Sequence, residues 1–264
     1  MEVILKNDRG FEESIIKELK IILGKEFNYE IEYGEKGSKI LLRDIDENDI
    51  KKIIINSKTI KELVYEDRVY DLINRGYEFE KMNLDPVSIS KIIYYYDIYK
   101  YEKILTMFNC YIPIELGIII KNIPTIFWRR KEFEFDIFFE NKKEKKKIQY
   151  VNFIPEDINK CKMSAINALV KDLILFSRID YEYIDIKLNE EYDILFADIT
   201  NLNKDIKYIL YYSKVLAKNF SILISSQKDL PSNLLKRYKL VIRDVKEFYS
   251  MNNVFYCIVL DKAF

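Results

Sequence analysis

The alternation of apolar and polar residues changes character once along the chain, near residue 70, and the two patterns predict two different folds. Residues 2–6 alternate as a half-buried strand does, and Asn7-Asp8-Arg9-Gly10 supplies turn residues. Over 11–23, Ile15, Leu19, Ile22 and Leu23 recur at helical spacing until Gly24 stops the run. Residues 27–33 alternate again, 34–37 turn with a glycine at each end, and 38–42 return as a strand. Asp46 is placed to cap a helix running to Ile55, and 60–65 predict a fourth strand. The order strand–helix–strand–strand–helix–strand is that of a split-βαβ, ferredoxin-like α+β domain, assigned to 1–70. That fold hosts many functions and by itself names none.

From 71 to 264 helices and strands alternate. Helices are predicted at 86–98, 113–121, 155–176, 204–217 and 231–237. Strands are predicted at 104–108, 148–154, 180–187, 192–199 and 220–225, with an extra strand at 136–140 and a closing pair at 240–243 and 254–260. Such alternation describes an α/β domain, a mostly parallel, doubly wound sheet with helices on both faces. Ligands of these sheets bind beyond the carboxyl ends of the strands, near the point where strand order reverses. Here that places the candidate site in the loops after Phe108, Ile154 and Ala197.

Composition narrows the chemistry. A chain of 264 residues, 49% hydrophobic, can bury one large core or two smaller ones. Its 43 acidic and 43 basic residues cancel, so contact with a nucleic acid must come from a local patch. There is no histidine, which excludes every histidine-dependent triad. The three cysteines, Cys110, Cys161 and Cys257, are far apart in sequence; a zinc site is not expected, and they read as reduced core residues. No apolar run approaches the roughly 20 residues of a membrane span, and no basic-then-apolar leader opens the chain. The expectation is a cytoplasmic protein with no metal and no membrane partner.

Four short motifs then fall in a definite order. Arg9-Gly10-Phe11-Glu12-Glu13 precedes Glu18-Leu19-Lys20, and Arg75-Gly76-Tyr77 precedes Asp85-Pro86-Val87-Ser88-Ile89. Ile112-Pro113-Ile114-Glu115 precedes Lys121-Asn122-Ile123-Pro124, and Pro155-Glu156-Asp157-Ile158 leads to Lys162-Met163-Ser164-Ala165. Taken together the chain resembles the THUMP-associated RNA methyltransferases that modify guanine N2 in tRNA or rRNA. The resemblance implies a ferredoxin-like domain ahead of a Rossmann-like class I methyltransferase domain, with S-adenosylmethionine as cofactor where the enzyme is active.

The same resemblance marks departures at the positions that do chemistry. Family members carry Asp-Pro-(Phe/Met)-Cys-Gly-Ser-Gly-Thr before Ile-Pro-Ile-Glu, where glycines let the backbone approach the cofactor. This chain has Ile104-Leu105-Thr106-Met107-Phe108-Asn109-Cys110-Tyr111, and no glycine anywhere after Gly117. The acidic residue that would hold the ribose hydroxyls aligns with Asn152, and a carboxylate accepts such bonds more strongly than an amide. The catalytic (Asn/Asp)-Pro-Pro-(Tyr/Phe) aligns with Asp198-Ile199-Thr200-Asn201, which keeps the first residue without the prolines or the base-stacking aromatic. Between Val69 and Asn74 there is no room for the rest of a THUMP domain.

The candidate residues follow: Asp198 as a remnant amine-binding carboxylate, and Asn109, Glu115 and Asn152 as remnant cofactor positions. Asp198 reads more readily as an acid capping a strand-end loop, because its companions are gone, and Glu115 reads equally as a carboxylate favoured by a helix dipole. For RNA, the candidates are Arg129, Arg130 and Lys131 beside Trp128, and Lys145 and Lys146 in the charged run 141–147. The reading is a catalytically degenerate methyltransferase-like protein that binds RNA or pairs with an active enzyme or a second copy of itself. The alternative is an active S-adenosylmethionine-dependent RNA methyltransferase with a diverged cofactor loop. A purely structural assembly protein is the third reading.

Overall fold

The computed structural model describes residues 2–73, 75, 84–125, 146–201 and 206–263. The chain divides into two compact units: Met1–Tyr99, Ile118–Lys143 and Phe248–Asn253 form the first, and Lys100–Gly117, Glu144–Glu247 and Val254–Phe264 the second. The predicted extra strand at 136–140 lies outside the described residues, as do Trp128, Arg129, Arg130, Lys131 and Lys145. Among the described residues no helix is long and apolar enough to cross a membrane.

In the first unit the chain runs β1 (Val3–Asp8), α1 (Glu12–Leu23), β2 (Asn28–Tyr33), β3 (Gly37–Arg43), α2 (Glu47–Asn56), β4 (Glu62–Tyr65) and β5 (Arg68–Asp71). The sheet order is β2-β3-β1-β4-β5, antiparallel throughout. Alternation buries Val3 and Leu5 of β1, Ile40 and Leu42 of β3 and Leu63 of β4 against Ile15 and Leu19 of α1 and Ile50 and Ile53 of α2. Asp46 caps α2 as its spacing predicts: its carboxylate accepts from Asp49 N at 2.9 Å, and the Asp49 side chain returns the bond in a capping box. The fifth strand is additional to the pattern's four. Glu66 and Asp67 both take positive φ (48° and 60°), the backbone of a two-residue hairpin turn.

One buried carboxylate fastens this unit. Glu18, on α1 and fully buried, accepts from Ser57 Oγ (3.0 Å), Lys58 N (2.8 Å), Thr59 N (3.0 Å) and Thr59 Oγ1 (2.5 Å). It thereby satisfies the chain that leaves α2.

Helix α3 (Pro86–Tyr95) also belongs to the first unit. Asp85 is its cap, accepting from Ser88 N at 2.8 Å with Pro86 in the first turn, and Lys61 Nζ and Ser250 Oγ each reach the same carboxylate at 2.8 Å. The helix ends before the predicted residue 98 because Asp97 turns left-handed (φ 55°). Burial pushes the Asp85 carboxyl up, but the Lys61 charge and the donors around it hold it below the ordinary range. A carboxyl depressed in the folded state contributes stability that is present above its unfolded pKa and lost as pH falls through the folded one. Acid titration of stability should therefore fall less steeply below pH ~4 in Asp85→Asn than in the parent chain, read by urea unfolding at each pH.

The second unit holds β6 (Lys103–Met107), α4 (Tyr111–Ile120), β7 (Lys147–Asn152), α5 (Pro155–Asn167), β8 (Ile174–Arg178), α6 (Ile184–Leu188), β9 (Tyr192–Asp198), α7 (Ile206–Val215), β10 (Ala217–Ser225), α8 (Ser232–Tyr238), β11 (Leu240–Ser250) and β12 (Asn253–Lys262). The last residues of α4, and the tip of the β11–β12 hairpin, fall in the first unit. The seven-stranded sheet runs β11-β12-β10-β9-β6-β7-β8; β8, β7, β6, β9 and β10 are parallel and β12 is antiparallel to β10.

Two predicted elements are corrected. The helix expected over 155–176 stops at Asn167: Leu169 turns left-handed (φ 59°), Val170 N reaches back to Ala165 O at 2.9 Å, and Ile174–Arg178 pairs with β7 from Ile148↔Ile174 onward. With that slot filled, 180–187 is not a strand; it forms a short 3-10 turn followed by α6. Val170 has a second role, because a Cβ built on Gly117 of α4 would lie 2.7 Å from its Cβ. Gly117→Ala should therefore cost about 1–3 kcal/mol through overpacking, measured by urea denaturation; a neutral result would mean that α4 shifts freely.

Candidate functional site

Strand order reverses between β6 and β9, and the predicted site residues Asn109, Asn152 and Asp198 all stand at the carboxyl ends of β6, β7 and β9. The register explains their proximity: Met107 pairs with Val151 on one side and with Ala197 on the other, so each strand delivers its next residues to the same rim.

The loop after β6 keeps the backbone of a glycine turn without the glycine. Phe108 takes φ 72°, a left-handed conformation that costs an L-residue about 1–2 kcal/mol. Its N–H donates to Val151 O at 3.2 Å, and Asn109 N donates to Met107 O at 3.0 Å. The half-buried Phe108 ring meets Phe153 edge to face with centroids 6.3 Å apart.

Asn109 is 2% exposed. Its Nδ2 donates to Asp198 Oδ2 at 2.7 Å while its Oδ1 accepts from Tyr111 N at 2.8 Å, which sets the first turn of α4. The other oxygen of Asp198 accepts from Thr200 N (3.0 Å) and Thr200 Oγ1 (2.7 Å). Asp198 as a residue retains some exposed surface, but its carboxyl is enclosed, and burial pushes it above the ordinary 3.8 against the pull of the Asn109 and Thr200 donors. A carboxyl raised in the folded state favours folding while it is protonated, and that advantage fades as pH rises through its folded pKa. Stability should thus decline over that interval above pH 3.8 and decline less in Asp198→Asn; carboxyl carbon NMR of Asp198 checks the direction of the shift.

Asn152, also 2% exposed, spends both ends of its amide within the chain. Oδ1 accepts from Ile154 N at 3.1 Å, and Nδ2 lies 3.0 Å from Tyr150 Oη and 3.4 Å from Phe108 O. Burial pushes the Tyr150 hydroxyl up, so it stays a neutral partner in this network. Glu115 is fully buried within α4. Lys146 stands apart from these residues, half-buried at the opposite end of β7, where the neighbouring Lys147 pairs with Glu190 at 2.9 Å.

Sequence reasoning missed one feature of the site. Cys110, in the loop after β6, is disulfide-bonded to Cys161 on α5, with the Cα atoms 5.5 Å apart. The expectation of three reduced core thiols is corrected: Cys257 alone stays outside a disulfide, and it is buried. The 51-residue separation offered no spacing signal, and only the βα order that brings β6 and α5 together could have suggested the pair.

No family model matches the chain, and no curated protein matches it. Among solved structures it is similar to TrmN from Thermus thermophilus, with TM-score 0.67 and 11% identity over 99% of both chains. A possible methylase from Clostridium difficile 630 gives TM-score 0.66 and 14% identity over 99% of this chain and 98% of that one. Magnesium protoporphyrin IX methyltransferase from Synechocystis PCC 6803, with bound S-adenosylmethionine, gives 0.50 and 9% over 72% and 88%. At these identities the likeness is one of fold: the mostly parallel seven-stranded sheet is consistent with a Rossmann-like methyltransferase fold.

Proposed function

We propose that this chain is a methyltransferase-fold protein related to the RNA guanine-N2 methyltransferases, no longer transfers methyl groups, and serves as an RNA-binding protein or as the partner of an active enzyme. The observation that carries this reading is the closure of the rim from within. Asn109, Asn152 and Asp198 are each bonded to neighbouring chain atoms, and at the left-handed Phe108, where a glycine would carry no side chain, a ring packs against Phe153 of the β7–α5 connection. These residues do not fit S-adenosylmethionine. The amide at Asn152 is spent on Ile154 N, Tyr150 Oη and Phe108 O, where ribose hydroxyls need an acceptor. The order of the four sequence motifs supports the RNA family, and the β2-β3-β1-β4 order with two crossover helices supports a ferredoxin-like first domain. Arg129, Arg130, Lys131, Lys145 and Lys146 remain its proposed RNA contacts.

Calorimetric titration with S-adenosylmethionine, checked against S-adenosylhomocysteine, tests the reading. No heat of binding is expected at near-millimolar ligand. Micromolar affinity, about −8 kcal/mol, would overturn it in favour of an active enzyme in which Asp198 accepts the target amine, and methyl transfer by Asp198→Ala would then be measured.

A further inference from the structure

The two faces of the first unit's sheet are built differently. α1 and α2 pack on the face that carries Val3, Leu5, Ile40, Leu42 and Leu63. On the opposite face, strand register lines up Glu30, Leu41, Ile4, Val64 and Val69 in one row, taken in the order β2-β3-β1-β4-β5. The adjacent row on that same face is Glu32, Lys39, Lys6, Glu62 and Asp71. A sheet face left to water usually turns polar residues outward. Here β3, β1, β4 and β5 each turn an aliphatic residue outward in one row. Leu41, Ile4 and Val64 are half-buried, and Val69 is 59% exposed. An apolar strip kept across four neighbouring strands marks a surface that another protein covers.

The charged row identifies the occupant, because it is complementary to itself. From β2 to β5 its signs run negative, positive, positive, negative, negative. We infer that two copies of this chain associate face to face through these rows, about a twofold axis parallel to the strands and between β1 and β4. Rotation about that axis lays β1 over the partner's β4 and β3 over the partner's β5. Lys6 then meets the partner's Glu62, and Lys39 the partner's Asp71. In the apolar row Ile4 meets the partner's Val64, and Leu41 the partner's Val69. Within one copy Lys6 already bonds Glu62 at 2.5 Å, so the axis gathers four charges of alternating sign. An axis half a strand spacing away, on β1 or on β4, would set Lys6 or Glu62 against its own copy. Sheets stacked about 10 Å apart leave these side chains within reach of one another. Neither row holds an aromatic ring to stack a base, and carboxylates stand among its lysines, so the face does not fit a nucleic acid. Association through the first unit is independent of whether the second transfers methyl groups, and either reading can fail without the other.

Sedimentation equilibrium of the full chain tests this. So small an interface predicts a dissociation constant on the order of 10 μM. Lys39→Glu and Asp71→Lys should each weaken the dimer roughly tenfold or more by setting like charges together. Combined in one chain, or mixed as the two single variants in equal amounts, they should restore it. β1 and β4 lie between these two residues within a chain, so an intrachain pair cannot supply the rescue. Asp71 Oδ1 also accepts from Ile73 N at 2.9 Å, and its substitution can disturb the β4–β5 hairpin. Val69→Asp is the second probe: the residue is exposed in the single chain, so the melting temperature should hold while dimerisation is lost. A parent chain that stays monomeric at submillimolar concentration overturns the proposal. A dimer that Val69→Asp and both charge reversals leave at parental strength also overturns it, since the contact then lies elsewhere. Weakening by each reversal without rescue by the pair overturns the assigned axis.

Discussion

Glu18→Ala is expected to destabilise the first unit by about 3–5 kcal/mol, a large part of the stability of an ordinary domain. The magnitude follows from the number of groups left behind. Ser57 Oγ, Lys58 N, Thr59 N and Thr59 Oγ1 all donate to this one carboxylate, and Ser57, Lys58 and Thr59 are each no more than 1% exposed. Alanine returns none of these donors to water, and an orphaned buried donor costs about 1–3 kcal/mol before the chain relaxes. Glu18→Gln keeps one acceptor oxygen and lets the two hydroxyls turn around to accept, so its cost should be about half as large or less. Urea unfolding followed by circular dichroism gives both values, and hydrogen exchange at Lys58 and Thr59 shows whether the loss is local. A Glu18→Ala penalty below about 1 kcal/mol would mean that water enters and takes over the carboxylate's role.

The hydrophobic pattern made most of this fold legible because its signal lies in the elements themselves. The alternation in β1 and β3, the Asp46 cap and the strand–helix alternation that puts Phe108, Asn152 and Asp198 on one rim are all local, periodic features. What it failed to give are the ends of elements. In most chains glycine announces a left-handed residue; here Leu169 ends α5, Glu66 and Asp67 turn β4 into β5, and Met251 and Asn252 turn β11 into β12, all at positive φ. Asp67 and Asn252 are turn formers, but Leu169 is a helix former that signals no break, so the helix prediction runs on into what is β8. The site divides the same way. The strand ends were legible, but the Asn109–Asp198 bond joins residues 89 apart and the Cys110–Cys161 bond residues 51 apart, and neither spacing carries a local pattern.

Reduction of Cys110–Cys161 is the second change expected to have a large effect. A cross-link closing 51 residues removes loop entropy from the unfolded chain worth about 4 kcal/mol in the chain-entropy account, and measured values are typically about 2–4. The enclosed segment includes β7, the central neighbour of β6, so the tie restrains the unfolded chain just where the parallel sheet must assemble. Its folded-state consequence is confined to the rim. Cys110 sits between Asn109, which bonds Asp198, and Tyr111, which opens α4, so a cut bond should loosen these positions before the rest of the sheet. The Cys110→Ser, Cys161→Ser double variant should therefore unfold about 2–4 kcal/mol more easily than the parent chain, with faster amide exchange at 108–111 and at the β7–α5 junction. Alkylation in denaturant supplies an independent check. Without reductant one thiol, Cys257, should react, and with reductant all three cysteines. Three reactive thiols without reductant would show that the bond does not form in the isolated protein; in that case the serine variants should show only the smaller effect of exchanging two buried thiols for hydroxyls.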